Sequence, residues 1–594
     1  MASFCSVVKL KLISCLWLCI IASNFQASAK NVYRSKYPFI KQASEYASTS
    51  SSFSSTVGDP SSYDYIVVGG GTAGCPLAAT LSQNYRVLLL ERGGVPFANV
   101  NVSFLRNFHI ALADTSSTSA SQFFISSDGV INTRARVLGG GSCINAGFYS
   151  RASHRFIRKA GWDEDLVEES YQWIEKQIVH RPAVAPWQVA LKNALLEEGV
   201  RPFNGFTYDH LYGTKLGGTI FDHFGRRHSA AELLSQGNSQ RLTVLVHATV
   251  QKIVFDTTGR KPNAVGVIFK DDRGIQHQVF LSKNPKSEII LSSGAIGTPQ
   301  MLLLSGIGRR AELSDMNIPI VLENEFVGTG LIDNPLNTIF IPTKKPVQQS
   351  LIQTVGITRH GVYIEASSGF GQSKDSIQYH HGIMSPEIGQ LSTIPPKERS
   401  FAAMQSFIKR KKKLPHEAFR GGFILEKIAN PLSRGRLKLI STNVEDNPNV
   451  TFNYFSHPQD LKCCVNGIRM ISKIAESNSY KKISQLDNLT KERILNMSVA
   501  ANVNLIPKHI NDTKSLEQFC KDSVITIWHY HGGAHVGKVV KRDFRVIGVE
   551  RLRAVDGSVF EESPGTNPQA TVMMMGRYMG MKILRNRQGD SAAD

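Results

Sequence analysis

The sequence predicts an α/β nucleotide-binding domain assembled from separated parts of the chain, with a second domain formed by the stretches between them. Three observations predict it. An apolar, β-branched run from Tyr63 to Val68 ends in glycines, and residues of helix composition follow from Thr72 to Ser82. A second apolar run from Arg86 closes on an acid, Glu91, and a third, Glu288 to Leu291, enters another glycine turn and a helix around Ala295 to Leu304. The 594 residues also exceed what one hydrophobic core serves.

Strand, glycine turn, helix and strand make one βαβ unit over residues 63–91. Similar strand material near Arg545 to Val555 completes the domain. Its expected pieces are residues 63–149, 240–340 and 521–590, leaving residues 150–239 and 341–520 to face a substrate. Residues 30–62 are rich in serine and threonine, too polar to order themselves, and read as a flexible leader.

Ahead of the leader, Lys9 and Lys11 precede a short apolar stretch, Leu12 to Ala22, and Ala27-Ser28-Ala29 follows. These are the three parts of a secretory signal peptide, expected to cover residues 1–29. Past it no apolar run approaches the roughly 20 residues that span a bilayer, and the composition, 42% hydrophobic and 20% charged, is that of a globular protein. Asn101, Asn449, Asn488, Asn496 and Asn511 head glycosylation sequons, which secretion makes usable. An oxidising compartment also permits a disulfide from one of the neighbours Cys463 and Cys464, with Cys464 preferred, to Cys520. The net charge of +20 suits an acidic cell-wall polymer. Lys409 to Lys413 is read as a solvated loop rather than a nucleic-acid or nuclear-import patch, since a secreted chain meets neither.

Gly69-Gly70-Gly71-Thr72-Ala73-Gly74 is a G-x-G-x-x-G between strand and helix. Gly69 serves the tight turn, Gly71 the approach of a pyrophosphate, and Gly74 the packing of helix on strand. The helix N-terminus offers N–H groups to phosphate. Glu91 is placed to accept ribose hydroxyls, which argues against a 2′-phosphorylated dinucleotide but does not separate FAD from NAD.

A second glycine-rich segment, Ala135 to Phe148, and a third, Gly294 to Gly308, separate them. With Asp333-Asn334-Pro335, Arg545 to Val549, Asp556-Gly557-Ser558 and Gly565-Thr566-Asn567-Pro568, they resemble the signature segments of the glucose-methanol-choline oxidoreductase family, in family order from Tyr63 to about Leu584. Trp528-His529-Tyr530-His531-Gly532-Gly533 resembles the plant branch, which holds HOTHEAD-type proteins and flavin-containing mandelonitrile lyases. Stretches such as Arg201 to His210 are more similar to the former.

The resemblance implies a two-domain flavoprotein: a Rossmann-like FAD-binding domain and a substrate domain of sheet and helix. It implies FAD contacts at Gly69, Gly71, Thr72, Ala73, Gly74, Glu91, Val137, Ser142, Asn145, Ala146, Gly147 and Phe148. Val250 would lie beside the adenine, with Trp528, Asp556, Gly557 and Gln569 nearer the flavin. In some relatives a histidine ahead of the motif asparagine bonds to the flavin. Ile144 stands there, so the FAD is expected to be non-covalent.

His529 is the candidate base for an alcohol proton, a role suited to a neutral imidazole. Asn567 matches the second active-site position and would hold the substrate oxygen. His531 reads as a packed supporting group, and His380 and His381 as structural. His529, His531 and His535 lack a neighbouring carboxylate or cysteine, so no metal site is expected. His535 and Ala534 replace an aliphatic residue and a cysteine of close relatives. His535 is therefore either a substrate contact or a surface residue, the second being preferred.

The expected function is a secreted alcohol oxidoreductase, with long-chain ω-hydroxy fatty acids for cutin-type polyesters as the substrate the resemblance implies. The alternatives are a cyanohydrin lyase with a non-redox flavin and an inactive flavoprotein with a binding role.

Overall fold

The computed structural model describes residues 35–46, 62–97, 99–369, 391–410, 420–485, 487–565 and 567–589. The signal segment, Ser50 to Ser55, His380, His381, residues 411–413 and the C-terminal tail lie outside them.

The expected βαβ unit is present as Tyr65–Val68, the helix Gly74–Leu81 and Val87–Glu91. Every residue of both strands is buried, because helices cover both faces of a parallel sheet. The sheet has six strands in the order Ile40–Gln42, Leu242–Val246, Val87–Glu91, Tyr65–Val68, Glu288–Leu291 and Leu552–Ala554, all parallel. Segments far apart in the chain thus meet in one sheet, as the scattered motifs require.

Two expectations are corrected here. Ile40–Gln42 falls within the stretch read as a flexible leader, yet it pairs with Leu242–Val246, and Tyr37, Phe39 and Ala43 are buried in the core beside it. Two large aromatic side chains and a free sheet edge outweigh the polar residues around them. The run 545–555 is not one strand. Gly548 and Arg551 both take positive φ, so the chain doubles back and Arg545 bridges Arg553, leaving only Leu552–Ala554 in the sheet.

The C-terminal helix Gln569–Gly589 lies on the helix Gly74–Leu81 at close range. A Cβ on Gly576 would stand 2.2 Å from the Ala73 carbonyl oxygen, so only glycine permits this contact. Glu164–Ile178 packs on the same core through Leu166, Val167, Tyr171 and Ile174. The first core therefore reaches into residues expected to belong to the second domain.

That second domain is built on a seven-stranded sheet in the order Ile525–Thr526, Pro335–Pro342, Gly421–Ile428, Val362–Ser368, Thr354–Ile357, Gly213–Leu216 and Phe203–Phe206. Residues 335–342 and 525–526 belong to it, so the expected boundaries at 340 and 521 move. The helices Pro186–Glu197 and Pro458–Glu476 cover one face. Cys464 is joined to Cys520, tying the helix Pro458–Glu476 to Thr513–Ser523, while Cys463 is free.

Candidate functional site

The carboxyl ends of the central parallel strands open onto a cavity of about 250 Å³. Ligands of open α/β sheets bind at such ends, where the strand order reverses. Gly69 turns there at φ +104°, with no room for a Cβ because the Ser292 carbonyl oxygen would lie 2.4 Å away. A Cβ on Gly74 would lie 2.1 Å from the Gly69 carbonyl oxygen, which fixes that glycine as a packing residue. Ala73, the N-cap, supplies no side-chain cap. With Cys75 N–H bonded to the Gly71 carbonyl and Pro76 lacking an N–H, the helix offers an anion its positive end rather than a row of free donors.

Of the expected cofactor contacts, Gly69, Gly71, Thr72, Ala73, Glu91, Val137, Val250, Trp528, Asp556 and Gly557 line this cavity. Glu91 accepts from Gly70 N–H at 3.0 Å and Gly93 N–H at 2.7 Å, and burial raises its pKa. Asp556 accepts from Gly294 N–H at 2.9 Å and from the Thr298 hydroxyl at 2.5 Å, so it caps the third glycine segment's helix. Ser142 is corrected: it is fully buried behind the loop, where its hydroxyl donates to Gly139 O and accepts from Ala230 N–H, and it does not reach the wall.

Two arginines in the wall escaped the sequence reading. Arg92 bonds Gln122 and the Ala135 carbonyl, Arg134 bonds Gln300, and one Arg134 nitrogen, Nη2, is buried without a partner among the described residues. The signal available was two cations in apolar stretches with no acid at helical or strand spacing. A glycine cradle, a helix N-terminus and two guanidiniums that donate, with an acid that can accept from hydroxyls, form a set that fits a dinucleotide with a pyrophosphate.

A second cavity, about 160 Å³, adjoins the first and shares Thr72, Ala135, Gly141, Trp528, Tyr530 and Val572 with it. Asn145, Ala146, Gly147, Phe148, His529, Asn567 and Gln569 lie in its wall, so three chain segments meet here. Gln569 ties two of them together: its amide donates to Phe148 O at 2.5 Å and accepts from Asn145 at 2.8 Å. Leu112, Ile144, Ile352 and Ile527 add apolar surface to the wall, beside Thr133.

His529 follows Trp528, a bulky residue held at φ +57°. Such a backbone persists only where the surroundings over-determine it. Here Thr526 Oγ accepts Trp528 N–H at 2.7 Å, and Asp333 accepts both the Thr526 hydroxyl at 2.6 Å and His529 N–H at 3.0 Å. The His529 ring is buried, its Nδ1 has no partner among the described residues, and its pKa is well below 6.5. Burial is the main cause, followed by the charge of Lys427 and by His531. The imidazole is neutral at mild pH and free to accept a proton.

Asn567 faces the same cavity, its Oδ1 accepting from Lys427 at 2.8 Å. His531 donates from Nδ1 to His529 O at 2.8 Å, a supporting contact as expected. His535 is neither of the things expected of it. It is buried, donates from Nε2 to Gly330 O at 3.0 Å, and packs on Gly330 and Gly532 away from both cavities.

The family model for GMC oxidoreductase matches residues 63–336, and a second of the same description matches residues 431–576. The chain is 63% identical over 585 residues to Protein HOTHEAD of Arabidopsis thaliana, covering 97% of this chain and 98% of that one. It is 43% identical over 541 residues to (R)-mandelonitrile lyase 1 of Prunus serotina, covering 90% and 88%. Among solved structures, a formate oxidase superposes with a TM-score of 0.70 at 18% identity, covering 90% of this chain and all of the other.

Proposed function

The chain belongs to the GMC oxidoreductase family as an FAD-dependent enzyme acting on alcohols, and on that premise we propose that it is secreted and oxidises long-chain ω-hydroxy fatty acids, with His529 as base. The observation that carries the reading is the pair His529 and Asn567 in one largely apolar cavity that adjoins the larger one and shares wall residues with it.

When bound, FAD supplies the acceptor for the hydride of the carbinol carbon. His529 takes the hydroxyl proton on its neutral ring, and Asn567 donates an amide N–H to the same oxygen. Arg92, Arg134 and the glycine turn would hold the pyrophosphate, and Glu91 the ribose. Ile144, in the wall of the second cavity, carries no nucleophile, so the FAD is held without a covalent bond. The alkyl lining suits a hydrocarbon chain, and the 63% identity to Protein HOTHEAD supports a common substrate class. The disulfide Cys464–Cys520 and the exposed sequon residues Asn449, Asn496 and Asn511 support secretion, and a net charge of +20 supports association with acidic wall polymer.

The test is anaerobic mixing of purified holoenzyme with a panel of alcohols while the visible flavin band is followed. An ω-hydroxy fatty acid should bleach it, and His529→Ala should not respond. Aldehyde release from mandelonitrile without bleaching by any alcohol would overturn the reading in favour of a lyase.

A further inference from the structure

We propose that Lys427 is a positioning residue of the active site, anchored by Glu365 and holding the Asn567 amide with its NH2 group turned toward the substrate oxygen. The inference rests on His529 and Asn567 being the reacting pair.

Its basis is strand register. Lys427, in Gly421–Ile428, sits directly opposite Tyr363, and Glu365 follows two residues along on the same face of Val362–Ser368. The Lys427 and Glu365 side chains are both fully buried, with Nζ 2.6 Å from Glu365 Oε1. The same Nζ lies 2.8 Å from Asn567 Oδ1 and 4.1 Å from the centre of the Tyr363 ring. A carboxylate, an amide oxygen and an aromatic face therefore surround the ammonium.

An amide's oxygen and nitrogen are alike in shape, and chemistry must tell them apart. An ammonium donates and never accepts, so the Asn567 atom it touches is the carbonyl oxygen. The NH2 group is then the end left for the cavity wall that Asn567 shares with His529. The two residues become complementary: His529 accepts the hydroxyl proton while Asn567 donates to the oxygen that is losing it. As negative charge grows on that oxygen, a donor polarised from behind by Lys427 binds it more tightly, which lowers the barrier rather than merely the binding constant.

Stability is a poor explanation for this pair. Buried ion pairs are often replaceable by apolar residues without loss, and Glu365 Oε2 has no partner among the described residues. The charge also acts on the base. The groups facing His529 are Lys427, His531 and, through the backbone, Asp333; those facing Lys427 are Glu365, Tyr363 and His210, which lies against Tyr363.

The test compares Lys427→Met, Asn567→Ala and the double variant as FAD-loaded full-length enzymes. Flavin content, anaerobic flavin-reduction rate at saturating alcohol, and its pH profile are measured. Lys427→Met should keep its flavin and slow reduction by roughly 10- to 100-fold, the scale of a misplaced reacting partner. Its acid limb should move to higher pH, because His529 loses a cationic neighbour. The double variant should be no slower than Asn567→Ala, since the lysine acts through the asparagine. Should Lys427→Met fail to fold, Lys427→Met with Glu365→Leu removes both charges at similar volume and should show the same slow, shifted profile. A Lys427→Met enzyme with wild-type rate and pH profile, or a double variant slower by the product of the two single effects, would overturn the proposal. His529→Ala distinguishes the failures: if it still reduces flavin at the wild-type rate the underlying reading falls, and if it is dead while Lys427→Met is normal only this inference falls.

Discussion

The Asp333 carboxylate grips the backbone of His529 rather than its ring, with Oδ1 3.0 Å from the His529 nitrogen. The other oxygen takes the hydroxyls of Tyr454 and Thr526 at 2.5 and 2.6 Å. One buried acid thus fixes the strap on which the base is mounted. Burial raises its pKa to about 6, the bonds it accepts opposing that shift.

Asp333→Ala should be destabilised by about 1–3 kcal/mol for each donor left dry, and the His529 strap should relax. The expected outcome is a lowered Tm with slow flavin reduction and retained flavin. Asp333→Asn should be milder, because the two hydroxyls can rotate to accept from the new amide. Thermal melts and anaerobic reduction of both variants check this.

The pH dependence of kcat/KM follows from the burial of His529. A base works only unprotonated, and its pKa in the folded protein lies well below 6.5, chiefly through burial. Activity should therefore hold as the pH falls through 6.5 and decline only below it. An acid limb centred at or above 6.5 would contradict this assignment of the base.

Gly74→Ala should yield protein without bound flavin. The added methyl would stand 2.1 Å from the Gly69 carbonyl oxygen, a backbone atom that cannot swing aside, so the glycine turn itself must move. Absorbance of the purified variant measures the loss directly.

Breaking the Cys464–Cys520 bond, by reduction or by Cys520→Ala, should lower stability by about 2–4 kcal/mol. The bond closes a sequence separation of 56 residues and links two helices of the substrate domain. Non-reducing peptide mapping should find these two joined and Cys463, like Cys75 and Cys143, as a free thiol.

What the sequence made legible is what local chemistry dictates. The glycine turns and the buried strands around Val68, Glu91 and Leu291 carry their meaning within a few residues. The histidine next to Trp528, by contrast, was singled out by family resemblance and lies in one cavity wall with Asn567. The leader hid a strand because Ile40–Gln42 is stabilised by a partner about two hundred residues on, in Leu242–Val246. Lys427 and Glu365 escaped because their roles depend on the register of two strands and on a third segment bringing Asn567. Glu426-Lys427 inside an apolar strand was nonetheless a usable sign, since buried charges in a sheet need partners. His535 misled because a polar ring was read as a surface residue, whereas it is buried and braces the Gly330 turn.

The strand Leu552–Ala554 completes the parallel sheet, Asp556 caps the helix Gly294–Leu304, and Gln569–Gly589 clamps the first glycine turn. All three lie hundreds of residues beyond the glycine turn at Gly69 to Gly74 that they complete. Flavin loading should therefore wait for residues 552–589, since a nascent chain short of them carries an open half-site. A premature stop ahead of residue 552 should cost the protein its cofactor altogether, which flavin assay of such truncated chains would read out.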